Sequence, residues 1–496
     1  MIKFFRPSSK LIRRTYVLLT GMLWLCGLSE SSAQIYFHDN NALETNHASI
    51  GWLGSNENPA LLDESPYIGC NILNVSYHQR SGNFYRQFAA DKNKIAKLSA
   101  AEWIRLSRKM ILFGQFCFGS GIYHSPAGTL NEFPYDSPFI LTDKKAGNVQ
   151  ISSPDIRLVS SYALSQKLSV GVESSFRIYD GLKQNESKAK MDDRTIGWKI
   201  GLGYHVTPYQ QIACSIGNND GQARVIIETH YLRHEPKIEQ FFGDSLRLEK
   251  QLVGNYHRRD RRQHRMVEMS WQYRNTSGRY LRLKCGYEKV TEFYDELETK
   301  IYEYATRFGR WHEELKWVEL NSDFATHVRK FRMQVDMLLM SGEMFVYAGM
   351  GQAHVETRQQ NILQGHMRLT SDDSWRRLLL KLDMDATYLE ESYYSFNHDY
   401  LWERSPFGLR VSNSIDFRLS DTYSLIAGIG IGRVVTDYHL TLPVCLEQSW
   451  SIGLGKNTAG RRFDSIFNIR RMNAPEDNRE FHIVSVSINV ATSGEK

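Results

Sequence analysis

Proline is scarce in this 496-residue chain, at 12 residues, and cysteine scarcer still, at 6. So few prolines, beside only 35 glycines, exclude a collagen-like or low-complexity chain. The 42% hydrophobic content excludes a disordered one. Mean hydropathy is −0.44. Beyond residue 28 no run of roughly 18 apolar residues occurs, so membrane-spanning helices are excluded. Length allows two to four soluble domains. It equally allows one long barrel, whose strands need an apolar residue only at every second position.

Motifs of catalysis are also missing. There is no G-x-S-x-G elbow, no H-E-x-x-H and no G-x-x-x-x-G-K-[ST] loop. Gly428-Ile429-Gly430-Ile431-Gly432-Arg433 lacks the third glycine of a dinucleotide loop and sits inside an alternating stretch, where glycine serves close packing. Neither a cofactor nor a metal is expected, and the protein reads as a non-enzyme. No C-x-x-C occurs, which argues against a zinc site or a disulfide framework. Cys70, Cys117, Cys214, Cys285 and Cys445 read as small apolar strand residues.

What is present begins with an export signal. Lys3, Arg6, Lys10, Arg13 and Arg14 precede the apolar stretch Thr15 to Leu28, and Ser31 and Ala33 supply small residues for cleavage after Ala33. Residues 1–33 are therefore expected to be a cleavable signal peptide. Cys26 offers a lipoprotein alternative, opposed by the bulky Leu23-Trp24-Leu25 before it. Removing five basic residues and Glu30 takes the net charge from +6 to +2 (+6 − 5 + 1). The basic character belongs largely to the signal, and no nucleic-acid partner is expected.

Period-two alternation then runs almost throughout. Leu168, Val170, Val172, Phe176 and Ile178 share one face, while Glu173, Arg177 and Tyr179 share the other. The same split recurs from Ile196 to His205, Leu281 to Glu288, Leu378 to Thr387 and Ile483 to Val490. A twelve-residue alternating run matches a tilted bilayer-crossing strand better than an average soluble one. Short polar links (Ser165 to Lys167, Asn275 to Arg279, Met340 to Glu343, Ser420 to Thr422) alternate with long ones (Ser125 to Pro154, Asn218 to His264, Glu390 to Leu409). Trp271, Tyr273, Trp317 and Trp375 fall near strand ends, where membrane girdles place aromatics. The expected fold is all-β: a single antiparallel transmembrane β-barrel of roughly 16–20 strands, with short periplasmic turns and longer extracellular loops. A secreted protein of two or three soluble β domains would share the alternation but not the strand lengths.

Asn58-Pro59-Ala60, within SNENPALLDE, resembles the segment near the start of long-chain fatty-acid transporter-like barrels. YDSPFILTD (Tyr135 to Asp143) and SYALSQKLSVGVESSFRIYDG (Ser161 to Gly181) resemble more closely an uncharacterised Bacteroidota outer-membrane β-barrel family. The likeness runs from about Asn58 to the C-terminus. It implies an outer-membrane barrel, supplies no substrate, and by analogy makes Asn58, Pro59 and Ala60 a plug. The expected division is residues 1–33 signal, 34–70 a periplasmic plug-like segment, and 71–496 the barrel.

Inward charges would line the lumen: Glu173, Arg177, Lys199, Arg282, Lys284, Glu288, Asp383 and Asp385. Both signs occur, so no strong ion selectivity follows. His257 to Arg265 reads as a solvated extracellular loop end. Within it Arg258, Arg259, Arg261, Arg262 and Arg265 are candidate contacts to lipid phosphate of the outer membrane and its lipopolysaccharide. The aromatic stretch Tyr388 to Phe407 reads as a ligand-gripping loop or a lid. The expected function is a channel or transporter for a small or amphipathic solute. The alternative is a non-transporting barrel acting as membrane anchor or assembly partner of a secretion or surface complex, with an envelope protein as its partner.

Overall fold

The computed structural model describes residues 58–64, 71–82, 90–125, 128–130, 139–142, 145–183, 188–228, 237–242, 246–251, 255–275, 280–297, 305–325, 329–348, 351–373, 378–396, 400–405, 407–420, 422–434, 445–458, 461–474 and 479–492. The expected signal peptide lies outside them.

A 3₁₀ turn, Pro59–Glu64, comes first. It is followed by β1 (Asn71–Gly82), β2 (Lys92–Arg105), β3 (Met110–Ser125), β4 (Phe139–Thr142), β5 (Gly147–Ala163), β6 (Leu168–Lys183), β7 (Ala189–Thr207) and β8 (Gln210–Ile227). Next are β9 (Lys237–Phe242), β10 (Leu246–Gln251), β11 (Tyr256–Arg274), β12 (Tyr280–Leu297), β13 (Ala305–Ala325), β14 (Arg329–Ala348), β15 (Gly351–Asp373) and β16 (Leu378–Ser395). The chain ends with β17 (Tyr400–Arg404), β18 (Phe407–Arg418), β19 (Tyr423–Val434), β20 (Cys445–Thr458), β21 (Arg461–Ala474) and β22 (Arg479–Thr492).

Eighteen of these strands pair antiparallel with their neighbours and close into a barrel. The seam joins β1 to β22 over twelve pairs, Asn71↔Thr492 to Gly82↔Phe481. β17 adds to the top of β16, and β4, β9 and β10 form a separate three-stranded sheet.

Residue chemistry dictates which face points out. Leu73, Val75, Val172, Ile200, Ile216, Val267, Leu283, Ile452 and Val486 are exposed on the outer face, in register from strand to strand. Asn74, Ser76, Lys199, Ser215, Glu268, Arg282 and Ser487 are buried on the inner one. In water this would be inside-out; in a bilayer it is the stable arrangement. Among the cysteines, Cys214 and Cys285 are free and sit in this outer band.

Three tight turns share one chemistry. Ser107, Ser165 and Ser420 each accept, at Oγ, hydrogen bonds of 3.1 and 3.2 Å from backbone amides two and three residues on. The hydroxyl thus satisfies donors that the reversing chain cannot pair. These turns lie at the end where β1 starts and β22 finishes, the periplasmic end of such barrels.

Several connections differ from the sequence expectation. Met340 to Glu343 is no turn, because β14 runs straight through it. Gly342 there makes room for a side chain: a Cβ would run into the Trp311 ring. Asn218 to Gly221 and His257 to His264 are strand, so that link shrinks to residues 228–255. Their polar residues stand above the apolar band rather than in a loop. β5 begins at Gly147, with Pro154 inside it. Of Tyr388 to Phe407, much is strand in β16 and β17. Trp317 points inward, not to a girdle, and Trp375 lies outside the described residues. Nor is every upper connection long, since only residues 349–350 separate β14 from β15.

Candidate functional site: the inner wall and its two covers

All eight charges expected to face the lumen fall on the inward phase of their strands. Arg157 holds Glu173 through two hydrogen bonds of 2.7 and 2.9 Å. Arg177 stands opposite Asp155 in the β5–β6 ladder. Lys199 Nζ meets Glu268 Oε2 at 3.0 Å, both side chains more than nine-tenths buried. Arg282 and Lys284 share Glu319, at 3.2 and 3.9 Å. Glu288 bonds His264 Nε2 at 2.8 Å and accepts the Trp317 indole N–H at 2.9 Å. Asp385 bonds His366, which lies 3.9 Å from Asp383.

Sequence reading missed the partners, namely Arg157, Glu268, Glu319, His264 and His366. It also missed Glu447, which is clasped by Arg410 at 3.2 Å and Arg470 at 2.6 Å. Each keeps the period-two phase of its strand, so phase alone could have found them. Opposite charges meet on adjacent or next-adjacent strands, so the wall neutralises itself and stiffens.

One strip of this wall is apolar. Trp317, Leu338, Ile362 and Leu389 are mutual ladder partners across β13, β14, β15 and β16, and Leu315 packs beside them. They face inward, with Glu288 held at the strip's edge by the Trp317 indole.

At the short-turn end the segment Asn58 to Leu62 lies on the inner wall. Asn58 Oδ1 accepts the Ala60 amide at 2.9 Å, an Asx turn that starts the 3₁₀ coil. Ser161 Oγ donates to the Ala60 carbonyl at 3.3 Å. The wall makes room with glycine: a Cβ on Gly171 would strike the Pro59–Ala60 backbone, and one on Gly201 would strike Asn58. Leu62 packs among Trp103, Phe113 and Val159.

At the opposite end the β4–β9–β10 sheet enters the mouth. Ile238 of β9 and Leu130 join the inward-facing Tyr123, Val149, Val225, Ile227 and Tyr256 in one core. The Phe139 ring lies 4.1 Å from Tyr294 and near Gly309, with Trp311 and Met344 around it. Arg258 donates to the Phe139 carbonyl at 3.0 Å and to Asp260 at 2.6 Å, its guanidinium 4.9 Å above Tyr294.

This placement corrects the expected arginine cluster. Arg258 and Arg262 point inward, and Arg262 bonds Glu292 at 2.6 Å, so neither reaches lipid. Arg259, Arg261 and Arg265 point outward. Among the described residues no three of His, Cys, Asp or Glu converge as metal ligands.

The sequence from residue 59 to 452 matches one family model. The chain belongs to a family of unknown function, DUF6850. No curated protein matches its sequence. Solved structures similar to this DUF6850 barrel include the siderophore receptor PiuA from Acinetobacter baumannii, at 7% identity over 84% of this chain and 81% of that one, TM-score 0.39. The copper transporter OprC is similar at 8% identity, over 86% and 81%, TM-score 0.41. The TodX monoaromatic hydrocarbon channel is similar at 10% identity, over 95% and 97%, TM-score 0.35. These are a receptor, a transporter and a channel by name.

Proposed function

We propose that this DUF6850 barrel resides in the outer membrane of a Bacteroidota-type cell, exported by residues 1–33, and passes a small amphipathic solute through its lumen. The observation that carries this reading is the inward strip Trp317–Leu338–Ile362–Leu389 set in a charged wall. An amphipath needs an apolar contact for its tail and hydrogen-bonding groups beside it for its head; Glu288 and its partners stand at the strip's edge. The covers at both ends would make passage gated, with Asn58, Pro59 and Ala60 as part of a plug. No step of the reading calls for catalysis.

Liposomes carrying the full mature chain, given a labelled aryl sulfonate that does not cross lipid unaided, test it. Saturable uptake is expected. Ile362→Asp is expected to lower it about tenfold, the worth of one lost apolar contact, with heat-modifiable migration unchanged. Uptake no faster than in protein-free liposomes would overturn transport. It would favour the second reading, an anchor or assembly partner for an envelope complex, which the same two covers suit.

A further inference from the structure

Along β11 the outer face changes character above Val267. The apolar band ends at the row Ile216–Val267–Tyr287. One two-residue step higher stand Arg265 and its ladder partner Lys289. Three and four steps higher stand Arg261 and Arg259, on the same outward phase as Arg224 of β8 and Arg307 and Arg310 of β13. Three of these five guanidinium groups close on one carboxylate, while Arg224 stands across the ladder from Asp192 of β7. Asp295 takes Arg261 at 2.9 Å, Arg307 at 3.2 Å and Arg259 at 3.3 Å, and its side chain is 2% exposed. Phe293 lies beneath, with Arg307 4.3 Å and Arg261 and Arg310 5.9 Å from its ring centre. Stacking fixes the planar cations in place without consuming their charge.

One buried carboxylate, Asp295, cannot offset its three arginines together with Arg310 above Phe293. Arg261 keeps 42% and Arg307 37% of the side chain exposed. A strand residue advances about 3.4 Å and a membrane strand tilts about 45°, so each two-residue step climbs about 5 Å. The patch therefore begins about 15 Å above the hydrocarbon edge. Phosphates of a lipid headgroup lie lower, at the Arg265–Lys289 level. At the height of the patch an outer leaflet presents the sugars of its glycolipid, and the anions there are saccharide-borne phosphate and carboxylate.

We infer that the outward arginine patch of β8, β11 and β13, set around Phe293 and Asp295 of β12, binds the anionic core saccharide of outer-leaflet lipopolysaccharide. Planar, pre-stacked guanidiniums suit bidentate contact with phosphate and carboxylate. The partner is a glycolipid rather than a free ion, because the cations sit on three strands, β8, β11 and β13, spread to either side of β12, and match a chain of anions.

The full mature chain in detergent micelles, titrated with fluorescent lipopolysaccharide bearing a phosphorylated inner core, tests this. The same lipid stripped of its core is the comparison. The intact glycolipid is expected to bind at least about tenfold tighter than the stripped one, the equivalent of one or two charge-assisted hydrogen bonds. Arg259→Gln/Arg261→Gln/Arg307→Gln is expected to abolish that preference, while the inward Arg258→Gln keeps it. Asp295→Asn, which raises the charge of the patch, is expected to tighten binding. If the triple variant does not fold, the exposed Arg261→Gln carries the test at about threefold. Equal affinity for the two lipids, an unchanged preference in the outward variants, weaker binding by Asp295→Asn, or displacement by millimolar inorganic phosphate would each overturn the assignment.

Discussion

Lys199 and Glu268 join at 3.0 Å although β8 runs between their strands. The bridge is possible because β8 presents Ser215 and Gly217 at this level, and neither blocks the path of the lysine. Both charges are nearly fully buried, so removing one strands the other. Lys199→Met alone is expected to destabilise the barrel by about 3–5 kcal/mol, and Lys199→Met with Glu268→Leu to recover most of the loss. Urea unfolding in lipid vesicles measures both.

Facing is tested by a matched pair on β6. Val172 is on the outer face at 46% exposure, and Arg177 is on the inner phase. Val172→Arg places a cation in lipid and should cost about 2–4 kcal/mol near the midplane. Arg177→Val should cost far less. Equal membrane yields of the two variants would reject the assigned faces.

A side chain at Gly201 would occupy the place of Asn58. Gly201→Leu is expected to release residues 58–62 from the wall while leaving the strands paired. Limited proteolysis in micelles should then trim the N-terminal segment faster than in the unsubstituted chain, with heat-modifiable migration retained. Equal trimming would show that the segment is held by other contacts.

The upper cover is held by Phe139. Its ring fills the space beside Tyr294 and Gly309, and its carbonyl takes the Arg258 hydrogen bond. Phe139→Asp puts a charge into that apolar pocket and should lift the β4–β9–β10 sheet from the mouth. Planar-bilayer recordings should show longer or more frequent open events. Conductance matching the unsubstituted chain would mean that this sheet does not control the mouth.

Much of the barrel was legible because alternation is a local signal. Leu168 to Tyr179 announces its strand and its two faces without reference to any neighbour, and the same phase is what marks the eight charges as candidates for the inner face. Boundaries failed where one residue type serves two purposes. Gly342 looked like a turn residue, yet it yields space to Trp311, a contact that only the β13–β14 pairing creates. Asn218 to Gly221 looked like a loop because polarity returns once a strand leaves the hydrocarbon. The arginine run was legible as charge but not as two faces, since its extension into β11 depends on pairing with β8 and β12. Which carboxylate each cation meets is likewise a tertiary property.

The β1–β22 seam has a consequence for biogenesis. The first and last strands of the ring are zipped directly to each other, so closure waits for the whole polypeptide to be delivered. Until then two open edges persist, each able to template the wrong partner. Contacts of such long sequence separation are intrinsically slow to form. The incomplete sheet therefore has to be chaperoned across an aqueous compartment, and loss of β22 alone would leave β1 and β21 as unsatisfied edges on an otherwise intact wall.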